Sequence, residues 1–160
     1  MTIPVRSLRG ATVDETVRQT GIDEPMIRRL VDTFYRRVRG DPVLGPIFDE
    51  RVADWDEHLA TMRRFWSSVA LMTGAYHGEP MQHHAPLPVS GAHFDRWLRL
   101  FRETAAAVCP PAAAALFVER AGRIARSLEM GIAVSRGQLL RTGERLAPPT
   151  AGSSPANGEG

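Results

Sequence analysis

Apolar side chains recur at helical spacing along most of this chain, and almost no stretch alternates as a strand would. A first helix is predicted from about Asp23, with apolar positions on one face until Gly40 ends the run. The stretch 41–48 reads as a tight corner with Phe48 at its end. A stripe of large side chains then predicts a helix from about Asp54 to Thr73.

Two further helices are predicted in the second half of the chain. Apolar positions from 94 to 105 define one helix, which Pro110 closes. The last helix runs from about 111 to 134, with a proline at its first position. Between the two halves, residues 74–91 are interrupted by Gly and Pro, and only a short turn around His84 has a helical pattern. The fold class predicted from this pattern is all-α.

The chain divides into one folded domain and two tails. Residues 1–21 are polar and weakly patterned, and we expect them to be mobile. Residues 22–134 carry the periodic apolar positions and form the predicted domain, which is long enough for a single buried core. Residues 135–160 are rich in Pro, Gly, Ser and Ala, a composition that predicts a disordered tail.

Charge and cysteine content exclude several classes of function. The formal net charge is +2, but residues 22–134 hold 14 Arg against 14 Asp and Glu, so no basic patch favours nucleic acid as a partner. The single cysteine, Cys109, excludes an intramolecular disulfide. The N-terminus has no apolar region of signal-peptide length, and no run reaches the roughly 18 apolar residues of a membrane helix. We therefore expect a cytoplasmic protein without a membrane partner.

Two histidines stand out as candidate ligands. His58 shares the apolar stripe of its helix, and His84 lies on the short turn before Pro86. A single inward histidine is more often a satisfied core residue than a ligand, so neither decides the matter alone. His83 and His84 are adjacent, about 100° apart on a helix, so only one of them can face a given group. Together with Tyr35, Phe48 and Trp97, two inward imidazoles suggest a pocket for a flat apolar cofactor whose metal takes a nitrogen ligand.

An ordered set of motifs resembles one protein family. The motifs are FY, LGPIF, W-x-x-H followed by FW, Y-x-G-x-P ending in HH-x-x-LP, and HF-x-RWL-x-LF. Their order along residues 22–132 is similar to that of the group III truncated haemoglobins of bacteria. The resemblance implies a truncated globin-like two-over-two helical sandwich that holds b-type haem, iron protoporphyrin IX.

The resemblance also implies roles for individual residues. In the family the iron ligand stands about three residues before LP, and Leu87 and Pro88 place that position on His84 rather than on His83. Five more side chains are implied to surround the haem. They are Tyr35 as the distal tyrosine, Phe48 as the stacked aromatic residue, His58 as the distal histidine, Trp97 as the distal indole, and Met62 one turn after His58 in the distal wall. Met62 departs from the family's pattern, since a β-branched residue would hold that wall more rigidly.

These residue types favour tight retention of a small ligand. The phenol of Tyr35 and the indole of Trp97 are both hydrogen-bond donors. Two such bonds to a partly charged diatomic ligand would slow its escape by roughly two to four orders of magnitude. We therefore expect trapping, sensing or redox chemistry on oxygen, nitric oxide or another diatomic ligand, rather than bulk transport. One alternative is a haem enzyme, a nitric oxide dioxygenase or peroxidase-like protein supplied by an unidentified reductase; another is a cofactor-free helical interaction domain.

Overall fold

Helices account for the regular secondary structure in the part of the chain that the computed structural model describes, residues 15, 18–74, 76 and 88–148. Five helices have defined bounds: α1 (Glu24–Gly40), α2 (Leu44–Arg51), α3 (Trp55–Leu71), α4 (Gly91–Val108) and α5 (Pro111–Ser135). Residues 18–20 are also helical, so regular structure begins earlier than the predicted boundary at residue 22. Among the described residues, no helix has the length and apolar character needed to cross a membrane. The predicted all-α class is confirmed.

Capping side chains explain where the long helices begin. The Asp23 carboxylate accepts a hydrogen bond from the backbone N–H of Met26 at 2.9 Å and caps α1. The Asp54 carboxylate accepts from the N–H groups of Asp56 and Glu57 at the start of α3. At the start of α5, Pro111 occupies a first-turn position where no N–H is needed. These starts agree with the sequence-based predictions.

Helix α2 occupies the stretch that the sequence predicted as a tight corner. A carboxylate oxygen of Asp41 accepts from the N–H of Leu44 at 2.9 Å and so caps this short helix. Pro46 falls in the first turn, where its missing N–H costs no intrahelical bond. A Cβ at Gly45 would lie 2.7 Å from the carbonyl oxygen of Arg39, so glycine permits α2 to approach the end of α1 closely.

The helices form two layers with the core between them. Helices α1 and α3 pack together in one layer, and α4 and α5 pack together in the other. The layers meet where α1 contacts α4 and α3 contacts α5, and the rings of Phe34, Phe101 and Phe117 are fully buried between them. An ion pair of 2.7 Å between Arg63 and Asp32 joins α3 to α1. This arrangement is the predicted two-over-two sandwich.

The chain after α5 folds back onto the domain. Residues 136–148, which we call the C-terminal strap, run along α4 and α5, and Leu146 is buried with only 3% of its surface exposed. Leu146 packs in a small apolar cluster with Val89 and Ile132. The expectation of a disordered tail from residue 135 is therefore wrong for the strap, because its few anchoring side chains find partners far away in the sequence. Residues 149–160 lie outside the described residues.

Candidate functional site

The ring of Tyr35 lies where α1, α2 and α3 meet. Tyr35 is 5% exposed, and its ring contacts that of His58 edge to face at 5.1 Å between centroids. The ring of Phe48, on α2, contacts the Tyr35 ring at 6.0 Å between centroids. Three residues that the sequence singled out are thus brought together from three separate helices.

Trp97 joins this group through the buried ring of Phe34. The Phe34 ring meets Tyr35 at 5.1 Å and Trp97 at 5.4 Å, edge to face in both contacts. On the other side, Trp97 stacks on Phe101, one turn later in α4, at 5.5 Å and an interplanar angle of 16°. Tyr35 and Trp97 therefore belong to one continuous cluster of rings that spans both layers.

Trp55 belongs to the site, although the sequence analysis did not select it. Its ring lies 5.5 Å from His58 and 6.1 Å from Tyr35. The guanidinium of Arg39 sits 4.5 Å above the Trp55 ring, in a cation–π contact. The available signal was spacing, since Trp55 precedes His58 by three residues and so shares its face of α3.

Most of the large side chains in this group are half-buried rather than buried. Those with intermediate exposure are Phe48, Trp55, His58, Met62 and Trp97. They pack against the core on one side, and the Nε2 atom of His58 is itself shielded from solvent. Large side chains that remain half-exposed next to the core are typical of the wall of a binding pocket, and a flat apolar group could cover their exposed surface.

Burial and charge fix the protonation of two groups. Burial raises the pKa of the Tyr35 phenol well above its ordinary value, so the phenol keeps its proton and remains a hydrogen-bond donor. At the junction of α1 and α2, the hydrogen bonds from Arg96 lower the pKa of Asp41 to about 2, with backbone N–H groups adding to the effect. Arg96 directly precedes Trp97, so this ion pair also ties the Trp97 turn of α4 to the start of α2.

The predicted iron ligand His84 and its neighbour His83 lie outside the described residues. The chain on either side of them is described. Upstream, the N–H of Tyr76 donates to the hydroxyl of Ser68 on α3 at 2.8 Å, and its ring contacts Phe65 at 5.2 Å. Downstream, the chain reappears at residue 88, just before α4.

A separate cavity of about 670 Å³ lies between α4, α5 and the C-terminal strap. None of the predicted site residues lines it. Its walls include Phe94 and Leu98, which flank Trp97 on α4, together with Ala125 of α5 and Leu140 of the strap. The cavity therefore borders the same helix as the ring cluster.

Comparison with known proteins gives consistent results. Residues 19–115 match the family model described as bacterial-like globin. The group 3 truncated hemoglobin ctb of Campylobacter jejuni subsp. jejuni is 38% identical over 88 residues, which cover 52% of this chain and 69% of the relative. The group 2 truncated hemoglobin YjbI of Bacillus subtilis strain 168 is 33% identical over 87 residues, covering 51% and 64%. A crystal structure of the group III truncated hemoglobin from Campylobacter jejuni superposes with a TM-score of 0.65 and 31% identity, covering 77% of this chain and 95% of that one.

Proposed function

Because this chain belongs to the bacterial-like globin family, we propose that it binds b-type haem and holds oxygen, nitric oxide or a similar diatomic ligand there. The role we infer is trapping, sensing or redox detoxification rather than bulk transport. One observation carries this inference: the buried phenol of Tyr35 lies against His58 and shares one ring cluster with Trp97.

The described side chains fit a haem. Phe48, Met62 and Trp97 present half-buried apolar surface, which a flat macrocycle would cover. When bound, haem would supply an iron that can bind a diatomic molecule, and a neutral imidazole would hold that iron. We assign this imidazole to His84, on its spacing to the LP pair at positions 87–88.

Two donors are available to the diatomic ligand. The Tyr35 phenol and the Trp97 indole N–H each donate one hydrogen bond, and a bond to a partly charged ligand is worth about 1.5–3 kcal/mol. The imidazole of His58 can donate from one nitrogen or accept at the other, so it is less specific for a ligand that only accepts. We assign retention of the ligand to Tyr35 and Trp97, and control of its entry to His58.

Absorption spectroscopy tests the proposal directly. The purified full-length chain, titrated with haemin, is expected to develop a Soret band that saturates at one haem per chain. Acidic butanone should extract this haem, and its pyridine haemochrome should match that of haem b, because b-type haem is not covalently attached. Tyr35→Phe is the matched variant, since it keeps the ring and should load haem equally well. A wild-type chain that stays colourless with excess haemin would instead support a cofactor-free helical domain.

Steady nitric oxide or peroxide turnover with a supplied reductase would add an enzymatic role to the same site. Ligand binding without turnover would leave trapping or sensing as the function.

A further inference from the structure

The C-terminal strap hydrogen-bonds to two residues at the start of α4, Val89 and Gly91. The Gly91 N–H donates to the Leu146 carbonyl at 2.9 Å, and the Arg145 guanidinium donates to the Gly91 carbonyl at 2.9 Å. The guanidinium of Arg136 donates to the Val89 carbonyl at 3.1 Å. The backbone that enters α4 is therefore held by the C-terminal strap as well as by the helical core.

Buried and charged contacts hold the strap in place. Arg145 donates to Glu129 of α5 at 2.9 Å and to Asp95 of α4 at 2.8 Å. Glu129 is 7% exposed and also accepts from the N–H of Leu146 at 2.9 Å. Because the Glu129 carboxylate is largely shielded from water, breaking its hydrogen bonds to Arg145 would destabilise the fold more than breaking those of an exposed pair.

Gly91 allows this close approach. A Cβ at residue 91 would lie 3.0 Å from Glu129 Oε1 and 3.1 Å from the Arg145 side chain. The start of α4 and the Arg145–Glu129 pair are thus in direct contact, and the contact is shaped for a residue without a side chain.

Along the chain, this contact lies between two residues of the proposed haem site. Residues 89–91 lie between His84, the proposed iron ligand, and Trp97, the proposed donor. Because a chain covers at most about 3.6 Å per residue, the position of residues 89–91 limits where these two residues can lie. We propose that Arg145 and Leu146 are positioning residues, which fix the start of α4 and thereby set the geometry and retention of haem. This inference rests on the proposed function. The strap lies after residue 115, the last residue matched by the family model.

The test compares Arg145→Ala with Arg141→Ala in the full-length haem-loaded protein. Both variants remove one arginine from the same strap, but the Arg141 side chain is exposed and makes none of the contacts described above. Three quantities are measured: hydrogen exchange at the Gly91 amide, haem transfer to excess apomyoglobin, and the iron–histidine stretching frequency of the ferrous protein by resonance Raman. The last reports the ligand geometry, which a loss of global stability alone would not shift.

For Arg145→Ala we expect faster Gly91 exchange, haem loss accelerated by about tenfold or more, equivalent to ~1.4 kcal/mol, and a displaced iron–histidine band. Arg145→Lys keeps the charge but cannot make all the bonds of the guanidinium, so its values should fall between those of wild type and Arg145→Ala. Arg141→Ala should match wild type. If Arg145→Ala does not fold, Arg145→Lys and Leu146→Ala carry the same comparison.

Two results would overturn the proposal. One is unchanged Gly91 exchange in Arg145→Ala, and the other is faster exchange while haem loss stays within a factor of two and the Raman band does not move. In either case the wild-type protein still carries haem, so the proposed function stands. A wild-type chain that never takes up haem would instead refute both.

Discussion

Replacing Asp41 with Asn tests how far the junction of α1, α2 and α4 depends on charge. The Asp41 carboxylate receives two kinds of bond: backbone N–H groups of the α2 turn donate to it, and the Arg96 guanidinium donates to it at 2.8 Å. Asn keeps an oxygen that can accept from the backbone and removes the negative charge opposite Arg96. The substitution therefore isolates the ion pair from the cap.

The size of the effect follows from the lowered pKa of Asp41. A fall from 3.8 in the unfolded chain to about 2 in the folded chain corresponds to at most about 2.4 kcal/mol of stability above pH 4. The side chain of Asp41 is 8% exposed but that of Arg96 is 29% exposed, so solvent screening reduces this to about 1–2 kcal/mol. Because the folded pKa is the lower one, this stability is present above the unfolded pKa and is lost as the pH falls from about 4 through the folded pKa of about 2.

The assay is urea unfolding of the wild type and Asp41→Asn at a series of pH values. Asp41→Asn should be less stable by about 1–2 kcal/mol at pH 7, and the difference should shrink as the pH falls through the folded pKa of about 2, where the wild-type carboxylate becomes protonated. Asp49→Asn, an exposed position on α2, serves as the control for losing one acidic charge and should show no such pH-dependent difference. Parallel stability curves for wild type and Asp41→Asn from pH 7 to 2 would show that the Asp41–Arg96 ion pair does not stabilise the fold.

Three further predictions concern the haem site and the tail. Tyr35→Phe and Trp97→Phe should each raise the oxygen dissociation rate about tenfold or more, measured by stopped flow, since each removes one donor and keeps a ring; rates within a factor of two of wild type would contradict the assignment of the donors. His84→Ala should lose the five-coordinate ferrous spectrum and hold haem weakly while His83→Ala keeps both, and the reverse result would place the ligand on the neighbouring residue. Deleting the C-terminal strap together with residues 149–160 should lower the free energy of unfolding by about 2–4 kcal/mol, because the buried Leu146 and the charged contacts of Arg145 are lost. Deleting 149–160 alone should change the free energy of unfolding little, and equal stabilities for the two truncations would show that the strap contributes nothing.

Helical periodicity predicted the four long helices, because each buries one apolar face over three or more turns. It failed for α2, where the Gly and Pro of LGPIF are typical of a turn but occupy first-turn positions behind the Asp41 cap. It failed again for the strap, whose order depends on Arg145 and its partners Glu129 and Asp95, 16 and 50 positions away. Such contacts leave no periodic trace in the sequence.

The sequence predicted only part of the site, because contacts between side chains of different helices leave no periodic trace in it. Motif spacing selected Tyr35, Phe48 and His58, and the structure brings their rings together. Trp55 stood in the W-x-x-H motif but was given no role at the site, although its spacing of three residues from His58 places both on one face of α3. The role of His84 stays a prediction.

The rings around the site pack directly against the hydrophobic core, so a haem bound there would also stabilise the fold. Phe34 touches both Tyr35 and Trp97, and half-buried rings around them would lose their remaining contact with water when a haem is bound. A ligand that binds only the folded chain stabilises it in proportion to the logarithm of ligand concentration, and a hundredfold excess over the dissociation constant adds about 2.7 kcal/mol. Because proteases in the cell remove unfolded chains, a gain of that size in the free energy of unfolding changes the amount of protein that survives. If the proposed haem binding holds, the bound haem would thus raise the fraction of the chain that survives, as well as equip it for ligand binding.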